Sequence, residues 1–227
     1  MCYIYVGDIY MKKKKMIVCL VLLVIAALYT IAVKTIDVDT YVVGGNDIKI
    51  GFASINKGIV DFIGENNTFY KISEVLGYLC LGLVGIYGIV GLYQLIKRKS
   101  LFKVDKEILY LGGFYIVVLG VYFLFEKIVI NYRPVLEDGE LAASFPSSHT
   151  VLAICVCVSA IWINRKLFKS DMTKIANYLL ALLLFLTVLF RFISGVHWFT
   201  DIVGGVIYSC ALLMIFKSVL DLLEKKN

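Results

Sequence analysis

The sequence predicts an all-α bundle of six membrane-spanning helices. Hydrophobic residues make up 60% of the 227 positions and charged residues only 18%, whereas a soluble domain is about 45–50% apolar and about 25% charged. The apolar residues fall into six runs whose lengths approach the roughly 20 residues that a helix needs to cross a bilayer. Basic residues concentrate in alternate connections between these runs, a pattern that is typical of multi-pass membrane proteins.

The six predicted spans occupy most of the chain. Their bounds are about 16–33, 70–96, 108–130, 148–163, 175–190 and 202–216. Each run is continuously apolar and lacks the strict alternation of a barrel strand, so each is predicted to be a helix with its backbone hydrogen bonds inside the segment. The connections are short except for a loop at about 35–68. Residues 1–227 are therefore expected to form a single membrane-embedded domain.

The first span has two open questions. Met11, the lysines Lys12–Lys15 and the apolar run after them have the form of a natural start, which leaves open whether residues 1–10 belong to the native chain. The same segment also fits a signal peptide with a charged part and an apolar part. Because no clear A-x-A cleavage site follows, we predict an uncleaved helix.

We predict packing roles for the small residues inside the spans. Glycines recur at intervals of three in the second span, and such a stripe lets a neighbouring helix approach closely. The glycines are Gly82, Gly85, Gly88 and Gly91. The six cysteines form no C-x-x-C pair and no metal-binding spacing, so they are predicted to be small hydrophobic residues.

Positive charge predicts the orientation. Sixteen of the 23 lysines and arginines fall in segments on the same side as the amino terminus, and the positive-inside rule places such an excess in the cytoplasm. Both termini are therefore predicted to be cytoplasmic. The net charge of +6 is accounted for by orientation and by anionic lipid headgroups, so no nucleic-acid partner is expected.

The remaining polar residues concentrate at two predicted outer junctions, about 131–146 and 191–201. Both histidines and both prolines of the chain lie in or beside them. Taken singly, an arginine there snorkels to the interface, and a serine after proline caps a helix. Taken together, ionisable groups at membrane depth indicate a functional site.

Three ordered motifs carry a family resemblance. They are Arg133-Pro134, then P-S-S-H at 146–149, then R-x5-H-x3-D from Arg191 through His197 to Asp201. The set resembles the type 2 phosphatidic acid phosphatase family, which includes vanadium haloperoxidases and glucose-6-phosphatase and whose pattern is K-x6-R-P, P-S-G-H and S-R-x5-H-x3-D. The resemblance implies a phosphohistidine on His197, orientation of that ring by Asp201, proton donation by His149 and no metal cofactor.

Three positions depart from the family pattern. The lysine slot falls on Glu126, and Lys127 lies one residue later, a rotation of about 100° on a helix. Lys127 reaches the site only if a turn or bulge absorbs one residue, which the sequence leaves open. Ser148 replaces the glycine of the second motif, and Phe190 replaces the serine of the third.

The residue chemistry supports a phosphate site independently of the resemblance. Arginines offer planar forks of donors to phosphate oxygens, and a helix that begins near Ser148 directs free N–H groups and its positive dipole end at an anion. A carboxylate four positions after a histidine fixes the ring tautomer. The predicted phosphate-binding residues are Arg133, Arg191, Ser147, Ser148 and Lys127; the predicted catalytic residues are His197, His149 and Asp201.

An acidic group in the outer loop carries the remaining possibility of a metal. Glu137, Asp138 and Glu140 have the spacing of a solvated turn, and no convincing carboxylate cluster for Mg²⁺ is present. No metal site is predicted.

The leading hypothesis is therefore a membrane enzyme that hydrolyses a lipid phosphate or pyrophosphate at the outer face. Undecaprenyl pyrophosphate is favoured as substrate, with phosphatidic acid or phosphatidylglycerol phosphate next, an order taken from the family. Membrane lipid is the expected surrounding, and no obligate protein partner is evident. The alternatives are a small anion transporter, which the nearly charge-free spans disfavour, and an inactive relative that binds lipid phosphate.

Overall fold

The computed structural model describes the backbone of residues 2–224 and the side chains of residues 13–222. Seven α-helices, one β-hairpin and a short 3-10 segment at Leu101–Lys103 make up the described chain. The elements are α1 Cys2–Thr35, β1 Asp39–Val43, β2 Asn46–Ile50, α2 Ala53–Ile63, α3 Asn67–Arg98, α4 Lys106–Lys127, α5 Ser148–Leu167, α6 Asp171–Ile193 and α7 Phe199–Glu224. The question of whether residues 1–10 belong to the native chain falls on residues whose side chains lie outside the described part of the structure.

The prediction of six membrane-spanning helices is confirmed. Six of the described helices are long and apolar enough to cross a bilayer. Their candidate spans are Lys13–Thr35, Asn67–Arg98, Lys106–Lys127, Ser148–Leu167, Asp171–Ile193 and Phe199–Leu222. Most extend a few residues past the predicted bounds because polar ends continue the helix; Arg165 and Lys166, for example, fall in the last turn of α5, where positive charge is favourable.

The segment at about 35–68 is structured, whereas the sequence predicted a loop. β1 and β2 pair antiparallel around Gly44 and Gly45, whose φ values of +56° and +83° suit a tight hairpin turn. Apolar residues of the hairpin, such as Val43, Ile48 and Ile50, are buried. The prediction was wrong because it rested on apolar runs long enough to cross a bilayer, and the elements in this segment are much shorter.

Helix α5 is the centre of the bundle. It packs against α3, α4, α6 and α7, while α1 packs against α7. Small residues along α5, among them Ala153, Cys157 and Ala160, are wholly buried, and small side chains allow helices to approach closely in a membrane. Of the described cysteines, Cys80, Cys155 and Cys157 lie in apolar clusters, where they behave as small hydrophobic residues.

The glycine stripe of the second span does not form a helix contact along its length. A Cβ atom added at Gly82, Gly85 or Gly88 would meet no atom within 4 Å, and only Gly91 lies close to a neighbour, Ile108. A three-residue step turns a helix by about 300°, so the three steps from Gly82 to Gly91 drift around about half of its circumference. The predicted packing role is therefore wrong for the first three glycines.

Ion pairs hold the helices together at the end that carries the basic loops. Arg98 Nη1 lies 2.7 Å from Asp105 Oδ1, and Lys166 Nζ lies 3.0 Å from Glu107 Oε1. Lys15 pairs with the Asp221 carboxylate and joins α1 to α7. The two junctions that hold the candidate site lie at the opposite end of the same helices. That the basic end faces the cytoplasm stays a prediction.

Candidate active site

The two predicted junctions meet at one end of the bundle. The backbone N–H of Ser147 donates to the Asp201 carbonyl oxygen at 3.0 Å, which ties the start of α5 to the start of α7. Asn131 Nδ2 lies 3.5 Å from Asp201 Oδ1, and the Ser144 N–H donates to the Asn131 carbonyl at 2.9 Å. The three sequence motifs therefore converge on one site.

His197 and Asp201 form a buried pair. Nδ1 of His197 lies 3.6 Å from Oδ2 of Asp201, and neither side chain is more than 1% exposed. His197 lies in the turn before α7 rather than on the helix itself, so the pair meets across the start of that helix. The same Oδ2 accepts the Trp198 N–H at 3.0 Å, which fixes the carboxylate in place.

The imidazole of His197 is held neutral. Burial lowers its pKa well below the usual range, and the positive charges of Arg191 and Arg133 lower that pKa further. Its Nε2 atom is buried and has no hydrogen-bond partner among the described residues. A neutral ring with a carboxylate beside Nδ1 leaves the lone pair on Nε2, which is the state that a nucleophile needs.

Arg191 is wholly buried near the end of α6. Its Nη1 donates to Ser73 Oγ at 3.2 Å and to Glu74 Oε1 at 2.7 Å, and its guanidinium carbon lies 5.1 Å from the centre of the Tyr70 ring. Within the described part of the chain, Nε and Nη2 are buried without a partner. Two strong donors are thus unused in the site.

Arg133 is fastened by the loop between α4 and α5. Its N–H donates to the Ala142 carbonyl at 3.0 Å, and its Nη1 lies 2.7 Å from Glu137 Oε1. The Tyr70 hydroxyl donates to the same carboxylate oxygen at 3.1 Å. Glu137 was predicted to belong to a solvated turn; it instead anchors an arginine of the site because the loop folds back on itself.

His149 lies in the first turn of α5 and faces α3. Its Nε2 is 3.3 Å from Glu74 Oε1. A Cβ atom on Gly77 would come within 2.5 Å of the ring's Cδ2 and 2.6 Å of Nε2, so only glycine leaves room for the ring here. The other ring nitrogen, Nδ1, is buried with no hydrogen-bond partner among the described residues.

The start of α5 supplies backbone donors beside these side chains. The helix begins at Ser148, and Val151 N–H makes the first bond of the turn to the Ser147 carbonyl at 3.0 Å. The N–H groups of the residues before Val151 precede the helical ladder. Ser147 itself is wholly buried; its N–H is used by Asp201 and its Oγ accepts from Thr150, so its part is to tie the two junctions together.

An apolar cavity of about 410 Å³ leads to the two histidines from between α3, α4 and α5. Ser148, His149 and His197 lie at its polar end, and its walls are mainly hydrophobic, with Leu81, Leu119 and Phe125 among the lining residues. Glu126 also lines this cavity. Lys127, one residue later, is exposed at the end of α4 and is not part of the lining.

The sequence prediction missed one face of α3. Four residues on it contact the predicted site residues: Tyr70, Ser73, Glu74 and Gly77. One of them had a signal in the sequence, since Glu74 is a carboxylate inside an apolar run, and ionisable residues at membrane depth are rare without a function. The other three are ordinary residues in a membrane helix and carry no such signal.

Comparisons with known proteins agree with this arrangement. Residues 124–223 match the family model described as the PAP2 superfamily. The chain is also similar in structure to a transmembrane PAP2 type phosphatidylglycerolphosphate phosphatase from Bacillus subtilis, with a TM-score of 0.59 and 19% sequence identity over 89% of this chain and 96% of that chain. That likeness shows the fold. No curated protein sequence matches the chain.

The match begins just before Arg133 and ends beyond Asp201, so it contains all three motifs that first indicated the family. The predicted family is confirmed, and so is the predicted class of activity. Residues 124–223, and with them all three motifs, match the PAP2 superfamily, in a chain with the fold of a multi-pass membrane protein.

Proposed function

We propose that the protein hydrolyses the phosphate ester of a membrane lipid through a covalent phosphohistidine on His197, without a metal ion. The observation that carries the proposal is the state of that ring: burial and, after it, the charges of two arginines lower its pKa and keep it neutral, and its Nδ1 lies 3.6 Å from Asp201 Oδ2. A histidine kept neutral beside an anion-binding group is suited to attack phosphorus.

In the first step, His197 Nε2 attacks the phosphorus atom and the bond to the lipid oxygen breaks. Negative charge gathers on the three equatorial oxygens. The unused Nε and Nη2 donors of Arg191 lie in the site to receive them, together with Arg133 and the backbone N–H groups at the start of α5. Fixed donors of this kind supply most of the stabilisation that phosphoryl transfer needs.

His149 is proposed to move the proton. It gives a proton to the departing lipid oxygen, and it then takes one from the water that attacks the phosphohistidine. The ring lies at the polar end of the cavity, where the leaving oxygen would be. The apolar walls of that cavity are suited to the lipid chain, which would enter from the bilayer between α3 and α4.

The cavity lining bears on the choice of substrate. Among the described residues, it contains the carboxylates of Glu74 and Glu126 and no lysine or arginine. In a diphosphate, the second phosphate would occupy the leaving-group side of the site and would be repelled by these carboxylates. We therefore propose a lipid phosphomonoester with an uncharged leaving group, such as phosphatidic acid, ahead of undecaprenyl pyrophosphate. Phosphatidylglycerol phosphate, whose leaving group is anionic, comes between them.

The location of the site is proposed from charge. The basic loops and the candidate site lie at opposite ends of the bundle, so cytoplasmic termini would place the site at the outer face. No observation favours an anion transporter, because the buried ionisable side chains of the described residues gather at one end of the helices: Arg133, Arg191, His197 and Asp201. An inactive relative is the outcome that a direct assay tests.

Purified protein in detergent micelles should release phosphate from phosphatidic acid in excess EDTA, because the proposed chemistry uses groups of the protein and no metal ion. His197→Ala should lower the rate by about a thousandfold or more, since it removes the nucleophile. Thermal unfolding of the variant should confirm that it is folded. A strict requirement for Mg²⁺, or full activity in His197→Ala, would contradict the proposal.

Glu126→Lys should raise the rate on undecaprenyl pyrophosphate relative to phosphatidic acid by about tenfold, because it replaces repulsion of the second phosphate by attraction. Glu140→Lys, the same charge change at an exposed loop position, is the matched control and should leave the ratio unchanged. A wild-type protein that prefers the diphosphate would overturn the substrate order.

Lys127→Gln tests whether Lys127 fills the lysine position of the family pattern. An equal fall in the rate on both substrates would make Lys127 a phosphate ligand.

Gly77→Ala should lower kcat by about tenfold to a hundredfold, because the new methyl group displaces the His149 ring and small displacements of a catalytic group are costly. Gly82→Ala is the matched control: it is the same change on the same helix, with open space around the added atom. Equal rates for the two variants would show that the position of His149 does not limit turnover.

A further inference from the structure

Glu74 is the one carboxylate of the described residues that contacts both a predicted phosphate ligand and the predicted acid. Its Oε1 atom lies 2.7 Å from Arg191 Nη1 and 3.3 Å from His149 Nε2. It belongs to α3, outside the residues 124–223 that match the family model. The side chain is 25% exposed, on the side of the cavity that Glu74 lines.

The surrounding face of α3 is shaped for the His149 ring. Gly77 lies one turn after Glu74 on the same face, and it leaves the space that the Cδ2 and Nε2 edge of the ring occupies. That edge is therefore held against α3, with Nε2 3.3 Å from Oε1 of the Glu74 carboxylate. The opposite nitrogen, Nδ1, is buried and has no hydrogen-bond partner among the described residues, so it is the atom available to a substrate.

Arg191 does not depend on Glu74 alone. Its Nη1 already donates to Ser73 Oγ at 3.2 Å, and its guanidinium stacks on Tyr70. A carboxylate that served Arg191 alone would have no need to reach His149. The Oε1 atom of Glu74 lies between the Arg191 guanidinium and the His149 ring, and its contact with the histidine needs an explanation.

We propose that Glu74 is the positioning carboxylate of His149, as Asp201 is of His197. The inference rests on the proposed function, in which His149 is the proton donor. Glu74 accepts the Nε2–H, which fixes the ring and places the transferable proton on Nδ1. The site then contains two histidine–carboxylate pairs: one for the nucleophile and one for the acid.

The proton balance is complete with these groups. His149 starts as the imidazolium, with protons on both nitrogens and the Glu74 carboxylate as its counter-charge. When the bond from phosphorus to the lipid oxygen breaks, the Nδ1 proton moves to that oxygen, while the other proton stays on Nε2 and keeps its hydrogen bond to the Glu74 carboxylate. In the second step Nδ1 takes a proton from the attacking water, whose oxygen bonds to phosphorus as the bond to His197 breaks, and the imidazolium is restored.

The charges around His149 make a counter-charge necessary. Burial disfavours the imidazolium form of His149, and so do the positive charges of Arg191 on α6 and Arg133 on the loop; His197 lies at the same end of the cavity. Of the other carboxylates at the site, Glu137 is paired with Arg133, Asp201 lies beside His197, and Glu126 lines the cavity from the end of α4. Glu74 is the carboxylate that lies within hydrogen-bond reach of the His149 ring.

The test uses two leaving groups in the full-length protein. Glu74→Gln keeps the size of the side chain and removes its charge; it should lower kcat on phosphatidic acid about a hundredfold, the scale of general acid catalysis. On p-nitrophenyl phosphate the loss should be less than about fivefold, because nitrophenolate departs without a proton. The alkaline limb of the kcat–pH profile on phosphatidic acid should move to lower pH. Glu140→Gln, an exposed carboxylate in the outer loop, should change none of these.

Two further variants keep the test decisive. Glu74→Asp should recover part of the activity on phosphatidic acid, since a carboxylate returns. In a His149→Ala background, Glu74→Gln should cost little more, because the group it positions is already gone. The thermal stability of each variant is measured beside its activity, so that a folding defect is not mistaken for a loss of catalysis.

The outcomes separate two kinds of failure. Equal losses on both substrates with an unmoved pH profile, or a raised KM alone, would show that Glu74 only holds Arg191 and would overturn the inference. Additive losses in the His149→Ala background would do the same. A wild-type protein that releases no phosphate from either substrate would contradict the proposed function itself.

Discussion

The buried guanidinium of Arg191 is the interaction on which the site depends. Removing an ionised group from water costs several kcal/mol unless it is paired and hydrogen-bonded, and here the compensation comes from α3 through Ser73, Glu74 and Tyr70. This requirement fixes α3 against α6 at the end where the motifs meet. It also leaves two donors of the arginine unused, so the groups that hold Arg191 do not exhaust its capacity to bind an anion.

The second constraint is the position of His197, which lies in a turn rather than in a helix. Short elements outside the spans hold that turn. Gly195 has a φ of +71° and packs so closely on Gly64 that a Cβ atom would lie 2.1 Å from the Gly64 carbonyl oxygen. Asn56 of α2 donates to Thr200 Oγ1 at 2.9 Å, and Trp198 donates to the Tyr132 carbonyl at 2.7 Å. The hairpin, whose buried apolar residues pack with Trp198, and α2 thus support the turn that holds the candidate nucleophile.

Much of this arrangement was predictable, for identifiable reasons. A membrane span leaves a strong signal because some twenty residues must be apolar together, and the motifs around Arg133, His149 and His197 keep fixed local spacings. The contribution of α3 was not predictable in the same way, because Glu74 meets His149 through packing between helices 75 positions apart in the chain. The role of Glu137 was missed because it depends on how its loop folds, and the glycine stripe misled because spacing alone does not say which face finds a partner.

The central claim is that turnover passes through a phosphoryl group on His197, and trapping that group tests it most directly. Protein mixed with phosphatidic acid carrying a labelled phosphate is quenched within one turnover and digested, and the labelled peptide is identified by mass spectrometry. The account predicts an acid-labile, alkali-stable phosphate on His197 that disappears when unlabelled substrate is added as a chase. Label on another residue, or phosphate release from the wild-type protein with no labelled enzyme and inversion at phosphorus, would contradict it.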